Sequence, residues 1–398
     1  MHNWQSGRKI LLGITGGIAA YKIPALVRLI KKSGSEVEII LTQSAENFVA
    51  PMTLATLAGH RVWRESDFVD SGHEIPHIKL SEWADVIAIA PCSANTLAKI
   101  AHGICDNLLT STILAGTCEL IIFPAMNENM FMNKATQENI KILLERGVKV
   151  INPSEGDLAC GISGKGRMPE PGEILLEIMR ALCPVHDMSG KRVLVTAGPT
   201  HEYLDPVRFI SNPSSGKMGA AMARSAWLRG AEVKIIAGPV NIDSYGFEVI
   251  HVVSALDMLR EVKANLEWAD YIVKAAAVGD YRPKEYNADK IKREGKDNFT
   301  LELIQNPDIA AEAGKLKRSD QVLIGFAAES RNVKEYAREK LSRKNLDYII
   351  ANDITGEDSG FAHDTNRVTL ISSNVNEPER TFTGLKQDIA FDRWSALM

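Results

Sequence analysis

The chain has 398 residues, 45% apolar and 24% charged, with a formal net charge of −4. That length exceeds what one hydrophobic core usually supports, so two domains are expected, and the charge balance gives no reason to expect nucleic-acid binding. No apolar stretch approaches a membrane span, and the start MHNWQSGRK lacks the apolar segment of a signal peptide, so no membrane partner is expected. The five cysteines, Cys92, Cys105, Cys118, Cys160 and Cys183, form no CxxC pair. An odd, scattered set points to a reducing, cytoplasmic setting in which most of them pack as small apolar residues.

The first half alternates short apolar runs with amphipathic helical stretches. Strands are expected at Ile10–Ile14, Val37–Leu41, Val86–Ala90, Leu120–Phe123 and Val148–Ile151. This rhythm implies a parallel sheet covered on both faces, whose ligands gather beyond the carboxyl ends of the strands. The loops there are Thr15–Gly16–Gly17, Thr42–Gln43–Ser44, Pro91–Cys92–Ser93–Ala94–Asn95–Thr96 and Pro124–Ala125–Met126–Asn127. They are rich in hydroxyls, amides and glycine, as a phosphorylated cofactor requires. Ordinary turns and helix caps would account for any one of them alone; four at one sheet edge are harder to dismiss.

From Pro153 to Gly172 the composition turns Gly-rich and aperiodic, which reads as a flap, ordered or mobile. Cys160 stands there between Ala159 and Gly161 with little bulk to cover it, the setting of a reactive thiol. A helical stretch, Glu173–Leu182, leads to CPVHDMSGKR, the best domain boundary, giving domains 1–188 and 189–398.

The second half repeats the plan, with strands at Val193–Val195, Val233–Ala237, Val249–Val253, Tyr271–Ala275, Gln321–Gly325, Tyr348–Ala351 and Val368–Ser372. Its first strand empties into Gly198–Pro199–Thr200, and Ser214–Gly219 opens a small-residue helix. Strand, loop and Gly-rich helix start present backbone N–H groups and a cation to a phosphate. The Walker spacing is absent, and Met218 follows Lys217 where Ser or Thr is needed. Two long irregular segments, Ala277–Asn298 and Gly356–Arg367, interrupt the domain. The first carries Asp280, Lys290, Lys292 and Arg293, a set suited to polyphosphate or to a solvated charged hairpin. The fold class is α/β, two tandem Rossmann-like parallel-sheet domains.

Taken together, the motifs resemble one family, the bifunctional enzymes of coenzyme A synthesis that join phosphopantothenoylcysteine decarboxylase to phosphopantothenate–cysteine ligase. The N-terminal likeness rests on GITGGIAAYK, HIKLSEWAD, PCSANTLAKIAHG, CDNLLTS, PAMNENMF and ACGISGKGRM. The C-terminal likeness rests on TAGPTHEYLDPVRFISNPSSGKMG, AAAVGDY, KIKR, NPDI, GFAAE and KNLDYIIANDI. One departure stands out: the family's PxMNxxMW motif ends in Phe131.

The resemblance implies an FMN-dependent decarboxylase followed by a ligase. Loss of CO₂ beside the CH₂–SH group would leave an unstabilised carbanion. Oxidising the thiol to a thioaldehyde supplies the electron sink, and the protein supplies positioning and protons. His77 matches the family's active-site histidine, with His73 its neighbour and rival. Asn127 matches the residue that holds the substrate carboxylate, and Cys160 the flap cysteine that donates the final proton. Thr15, Gly16, Thr42, Ser93, Ala94 and Asn95 would line the FMN, and Asn107 would reach the cofactor or cap a helix. Family members bind flavin at a subunit interface, so a homo-oligomer is implied, with trimers of the decarboxylase and dimers of the ligase.

For the ligase the resemblance implies 4′-phosphopantothenate, cysteine and CTP as substrates, an acyl-cytidylate intermediate, and Mg²⁺ to neutralise the phosphates; the metal ligands are unassigned. Asn212 would grip the intermediate, and Lys290 would stabilise charge developing on the α-phosphate. Ala275, Ala276, Ala277, Asp280, Asn306, Pro307, Asp308, Ile309, Phe326, Lys340 and Lys344 would hold the nucleotide, Lys340 and Lys344 from one face of a helix. Two other classes compete: a flavin- or nucleotide-binding regulatory protein without turnover, and a tandem dehydrogenase. Convergence of Cys160, His77 and Asn127 on one pocket separates the first. The second is disfavoured because neither Gly-rich loop reads GxGxxG.

Overall fold

The structure is a computed structural model that describes residues 3–68, 75–157, 163–243, 246–292, 299–329, 333–353 and 365–397. Contacts divide the chain at Pro184 and Val185 into two units, each with its own sheet. Among the described residues no helix is long and apolar enough to cross a membrane.

In the N-terminal unit, strands β1 (Lys9–Ile14), β2 (Glu36–Leu41), β3 (Trp63–Arg64), β4 (Val86–Cys92), β5 (Glu119–Pro124) and β6 (Lys149–Val150) form one sheet. Its order is β3-β2-β1-β4-β5-β6, and every pairing is parallel. β4 is buried along its whole length, as a strand covered on both faces must be. Short β3 was not expected, since two residues carry no period. The Gly-rich flap is an antiparallel pair, β7 (Ser154–Asp157) with β8 (Ser163–Arg167).

The C-terminal unit holds β9 (Arg192–Ala197), β10 (Glu202–Tyr203), β11 (Phe209–Ile210), β12 (Glu232–Ala237), β13 (Glu248–His251), β14 (Tyr271–Lys274), β15 (Tyr281–Pro283), β16 (Leu303–Gln305), β17 (Val322–Glu329), β18 (Tyr348–Asp353), β19 (Thr365–Ser372) and β20 (Arg380–Leu385). The main sheet runs β13-β12-β9-β14-β17-β18-β19-β20. It is parallel as far as β18; β19 and β20 then add antiparallel. This sheet is therefore mixed rather than wholly parallel. A β18–β19 return needs no crossover helix, and β20, polar and half exposed, carries no apolar run to announce it. The segment expected to be irregular, Ala277–Asn298, contains β15, which pairs antiparallel with β16 beyond its end.

One buried cation ties the last helix, Lys386–Leu397, to this unit. Arg229 has no exposed surface; it pairs with both carboxylate oxygens of Asp187 and donates to Phe391 O at 2.7 Å and Ser395 Oγ at 3.0 Å. Breaking a buried pair leaves its partners unsatisfied. Arg229→Met should therefore cost the C-terminal unit about 3–5 kcal/mol, read as a lowered calorimetric transition with the N-terminal transition unchanged.

Candidate functional site

Both units reverse their strand order beside the first strand, β1 next to β4 and β9 next to β14. Loops leaving these pairs diverge, and the crevice between them is where such sheets take ligands. In the N-terminal unit Thr15 closes the base of the crevice. Its buried hydroxyl donates to Pro91 O at 2.8 Å and accepts from Ser93 N at 2.8 Å. Thr42 likewise ties its loop to β1, donating to Ile14 O at 3.2 Å. These two threonines fix loop positions, and neither lines the cavity above them.

That cavity, of about 580 Å³, is bounded by Gly16, Gly17, Ser93, Ala94, Met126, Asn127 and the end of the flap at Gly166–Met168. A Cβ on Gly16 would lie 2.6 Å from Ser44 Oγ, so the loop can approach only as glycine. Ser93 caps the helix Ala94–His102, accepting from Thr96 N at 3.3 Å, and aims that helix start at the cavity. Asn95 is exposed outside it.

Asn127 caps the helix Glu128–Met132 and accepts from Asn129 N at 2.9 Å. Beside it Met126 N donates to Gly166 O at 3.2 Å, stitching the flap to the loop; Gly166 has φ 149° and its Cβ would strike Met126 O. Lys22 holds the flap from the other side, donating to Met168 O at 3.0 Å and to Glu170 Oε1 at 2.8 Å. The Lys22 hydrogen bond holds the Glu170 carboxyl below its usual range, with Arg167 adding to the effect. Lys22 was quoted only as part of a motif; a lysine in a helix start gives no hint of a partner 148 residues away.

His77 does not line this cavity. It packs on Phe68 with ring centroids 5.7 Å apart, and its Nδ1 is buried without a hydrogen-bond partner among the described residues. Cys160, His73 and Arg293 lie outside the described residues. Asn107 caps the helix Leu108–Ala115, accepting from Thr110 N at 2.9 Å, and Phe131 is a buried core residue. Of the other cysteines, Cys92 and Cys183 are buried, Cys118 half-buried and Cys105 exposed; burial pushes the Cys92 thiol far up.

In the C-terminal unit two cavities adjoin, sharing Ala276 and Phe326. The larger, about 220 Å³, takes in Asp280, Asn306, Pro307, Asp308, Ile309, Lys340 and Lys344. The smaller, about 120 Å³, takes in Ser214–Gly219, Ala275, Ala277, Asn352 and Lys386. The nucleotide set is thus brought together, except that Lys290 lies exposed on its loop outside both. Asn212 donates to Ala277 O at 3.3 Å and Val278 O at 3.1 Å. Asn306 donates to Gly279 O at 2.8 Å, and Asp308 caps the helix Ile309–Leu316 while pairing with Lys344 at 2.9 Å. Burial raises the Asp308 carboxyl, but the Lys344 bond and charge together with the Ala311 and Ala310 N–H groups outweigh it and leave the group low.

Sequence reasoning missed three residues here. Asn352 lines the smaller cavity, and its buried Oδ1 has no hydrogen-bond partner among the described residues. Lys274, in the wall of the larger one, has a buried Nζ with no partner among the described residues; burial pushes it down to about 7, Asp308 opposing and Lys344 adding. Asp205 accepts from Val207 N and Arg208 N, both at 2.8 Å, and from Ile291 N at 3.1 Å, fixing the backbone next to Lys290. Among the described residues no group of three or more His, Cys, Asp or Glu could hold a metal.

The domain described as "Flavoprotein" matches residues 2–182, and that described as "DNA/pantothenate metabolism flavoprotein C-terminal domain" matches residues 188–395. The Coenzyme A biosynthesis bifunctional protein CoaBC of Bacillus subtilis (strain 168) is 42% identical over 391 residues, spanning 97% of this chain and 96% of its own. The protein of the same name from Haemophilus influenzae is 44% identical over 375 residues, 93% of this chain and 92% of its own. The chain belongs to the family of coenzyme A biosynthesis bifunctional proteins. It is an enzyme with phosphopantothenoylcysteine decarboxylase and phosphopantothenate–cysteine ligase activities, which sets aside the regulatory and dehydrogenase readings. A crystal structure of the C-terminal domain of a CoaBC protein, 38% identical, covers 52% of this chain and 94% of its own with a TM-score of 0.44.

Asp205 supplies a test. Burial alone would raise its carboxyl, but the backbone donors and Arg208 prevail and hold it below the usual range. Its contribution to stability is therefore present above the ordinary carboxylate range and is lost as pH falls through the lowered value. Thermal unfolding of Asp205→Ala between pH 7 and pH 3 should show a lower midpoint at pH 7, with the gap to the unmodified chain closing at the acid end.

Proposed function

We propose that residues 1–188 carry the decarboxylase with FMN over the β1 and β4 loops, and that residues 189–398 carry the CTP-dependent ligase. The flavin reading rests on the 580 Å³ cavity at the strand-order reversal, which combines a glycine loop, a helix start and a neutral amide under one flap. FMN, when bound, supplies the two-electron oxidation and re-reduction at the substrate's thiol-bearing carbon. Gly16, Gly17, Ser93 and Ala94 would hold its phosphate and ring with backbone groups, Thr15 and Thr42 fixing those loops from beneath.

Asn127 would hold the substrate carboxylate through its amide. A neutral donor binds the anion without the charge stabilisation that resists loss of CO₂. Cys160 would deliver the closing proton, and Lys22 would keep the flap's base over the site.

His77 would act on the flavin of a neighbouring subunit within trimers, since in its own chain it stands apart from the cavity. Exposed apolar side chains border both places, Ile18, Tyr21 and Met130 at the cavity and Ile75 and Ile78 beside His77, as a subunit interface requires. Ligase dimers and a cytoplasmic setting complete this reading, the latter in keeping with the exposed Cys105 thiol, which is in no disulfide among the described residues.

In the ligase, Lys340 and Lys344 would hold CTP, and Mg²⁺ would supply further neutralisation of its phosphate charge. Lys290 would swing in from its exposed loop to meet charge forming on the α-phosphate. Asn212, already bonded to the Ala277 and Val278 carbonyls, would grip the acyl-cytidylate.

Three measurements test this. A chain starting at Met188 should be colourless yet ligate; flavin travelling with it would overturn the domain reading. In Cys160→Ser the far weaker acidity of a hydroxyl should stop the closing proton transfer, so mass spectrometry should find an oxidised ene-thiol product in place of the aminoethanethiol. Normal product at the normal rate would remove Cys160 from the mechanism.

For the ligase, Lys290→Gln should cut pyrophosphate release from CTP and phosphopantothenate by about 10²–10³-fold even without cysteine. Asn212→Asp sets a negative charge beside the anionic intermediate. It should leave pyrophosphate release largely intact while amide formation falls and labelled acyl-cytidylate escapes. Equal loss of pyrophosphate release in both variants would refute this division of labour.

A further inference from the structure

Lys274 ends β14 between Thr196 on β9 and Gly325 on β17. The two-residue strand period puts it on the same face as Ile272, the face covered by Ile309, Ala313, Ala337, Leu341 and Leu346. A methionine would fill such a place with no charge to bury. An ammonium taken there from water is costly unless something accepts its hydrogen bonds.

Among the described residues no protein group does so. Lys274 is 8% exposed, and its Nζ has no hydrogen-bond partner. The nearby carboxylate is already engaged: Asp308 Oδ2 pairs with Lys344 at 2.9 Å and Oδ1 accepts from Ala311 N at 3.1 Å. Asp280 stands exposed on the loop beyond the strand, and Lys340 brings a like charge from the helix Val333–Arg343. Lys274 is nevertheless one of the residues that line the larger C-terminal cavity.

We infer that Lys274 is a nucleotide-binding residue, whose buried ammonium donates to an acceptor oxygen of the bound nucleotide, a phosphate oxygen or a base carbonyl. The inference rests on reading that cavity as the nucleotide site. It adds a donor that the loop motifs did not supply, from a strand position two residues beyond buried Ile272. It also explains why a lysine is kept where packing alone favours an apolar side chain.

A proton consequence follows. Burial leaves the free ammonium near neutrality in its titration, at about 7. An acceptor arriving at Nζ favours the charged form, so nucleotide binding at pH 7.5 takes up part of a proton. Asp308, Lys344, Lys340 and Asp280 also face the cavity, but they are common to the unmodified chain and to a Lys274 variant, so the difference between the two isolates Lys274.

The experiment is calorimetric titration of the full chain with Mg²⁺-CTP, with cytidine and with inorganic pyrophosphate, in two buffers of different ionisation enthalpy. Lys274→Met should fold with an equal or higher Tm, lose about 10–100-fold in affinity for CTP, as expected for a charge-assisted hydrogen bond, and lose the proton uptake. Lys274→Arg, always charged, should recover part of the affinity without the uptake. Loss confined to cytidine assigns the base carbonyl, and loss confined to pyrophosphate assigns the phosphate. Unchanged affinity for all three ligands with unchanged proton uptake in Lys274→Met would overturn the proposal. Failure of the unmodified chain to bind any of them would instead overturn the nucleotide reading on which it rests.

Discussion

Both candidate sites depend on the gap that opens where a parallel sheet reverses its strand order. The loops leaving β1 and β4, and those leaving β9 and β14, turn to opposite faces and would part without a tie. A buried threonine hydroxyl makes the tie each time. Thr15 joins the Pro91 carbonyl to the Ser93 N–H, and Thr200, wholly buried, accepts from Gly279 N at 3.0 Å while its carbonyl takes the Ser211 hydroxyl at 2.8 Å. Each such bond adds only about 1 kcal/mol to stability. Its larger effect is positional, because it sets the spacing of every group that lines the crevice above it.

On that shared frame the two sites differ in charge. In the N-terminal cavity the cations are spent on protein groups: Lys22 on Met168 O and Glu170, Arg167 on Glu170. The surfaces left for a ligand are backbone, small side chains and the Asn127 amide. The C-terminal cavities keep a surplus of lysine around Asp308 and Asp280. This difference fits the proposed assignment, because releasing CO₂ is helped by neutrality and handling a polyphosphate by cations.

Support for these sites comes from distant contacts. The flap is anchored by Lys22 and by the Met126–Gly166 hydrogen bond, and the Lys290 loop by Asp205 through Ile291 N. In the C-terminal unit the closing helix is held by Arg229 and by the Trp394 indole, which donates to Met222 O at 3.2 Å in the helix that the Ser–Ser–Gly turn begins. The start of that helix is therefore steadied by residues from the far end of the chain.

The sequence by itself determined the two α/β units, the core strands and most of the cavity-lining loops. β-branched runs ending in glycine, hydroxyl and amide residues are local signals, and parallel strands buried on both faces make them long enough to read. Its motifs also carried the family. Tertiary structure alone decided what had no period or neighbour to reveal it. β19 and β20 turn antiparallel because a hairpin return needs only backbone pairing, and Thr15 and Thr42 serve as struts because their acceptors lie on other strands. Lys22, Asp205, Asn352 and Lys274 matter through partners, or missing partners, tens of residues away. A side chain's charge is written in the sequence, but whether that charge is satisfied is settled only when the chain closes around it.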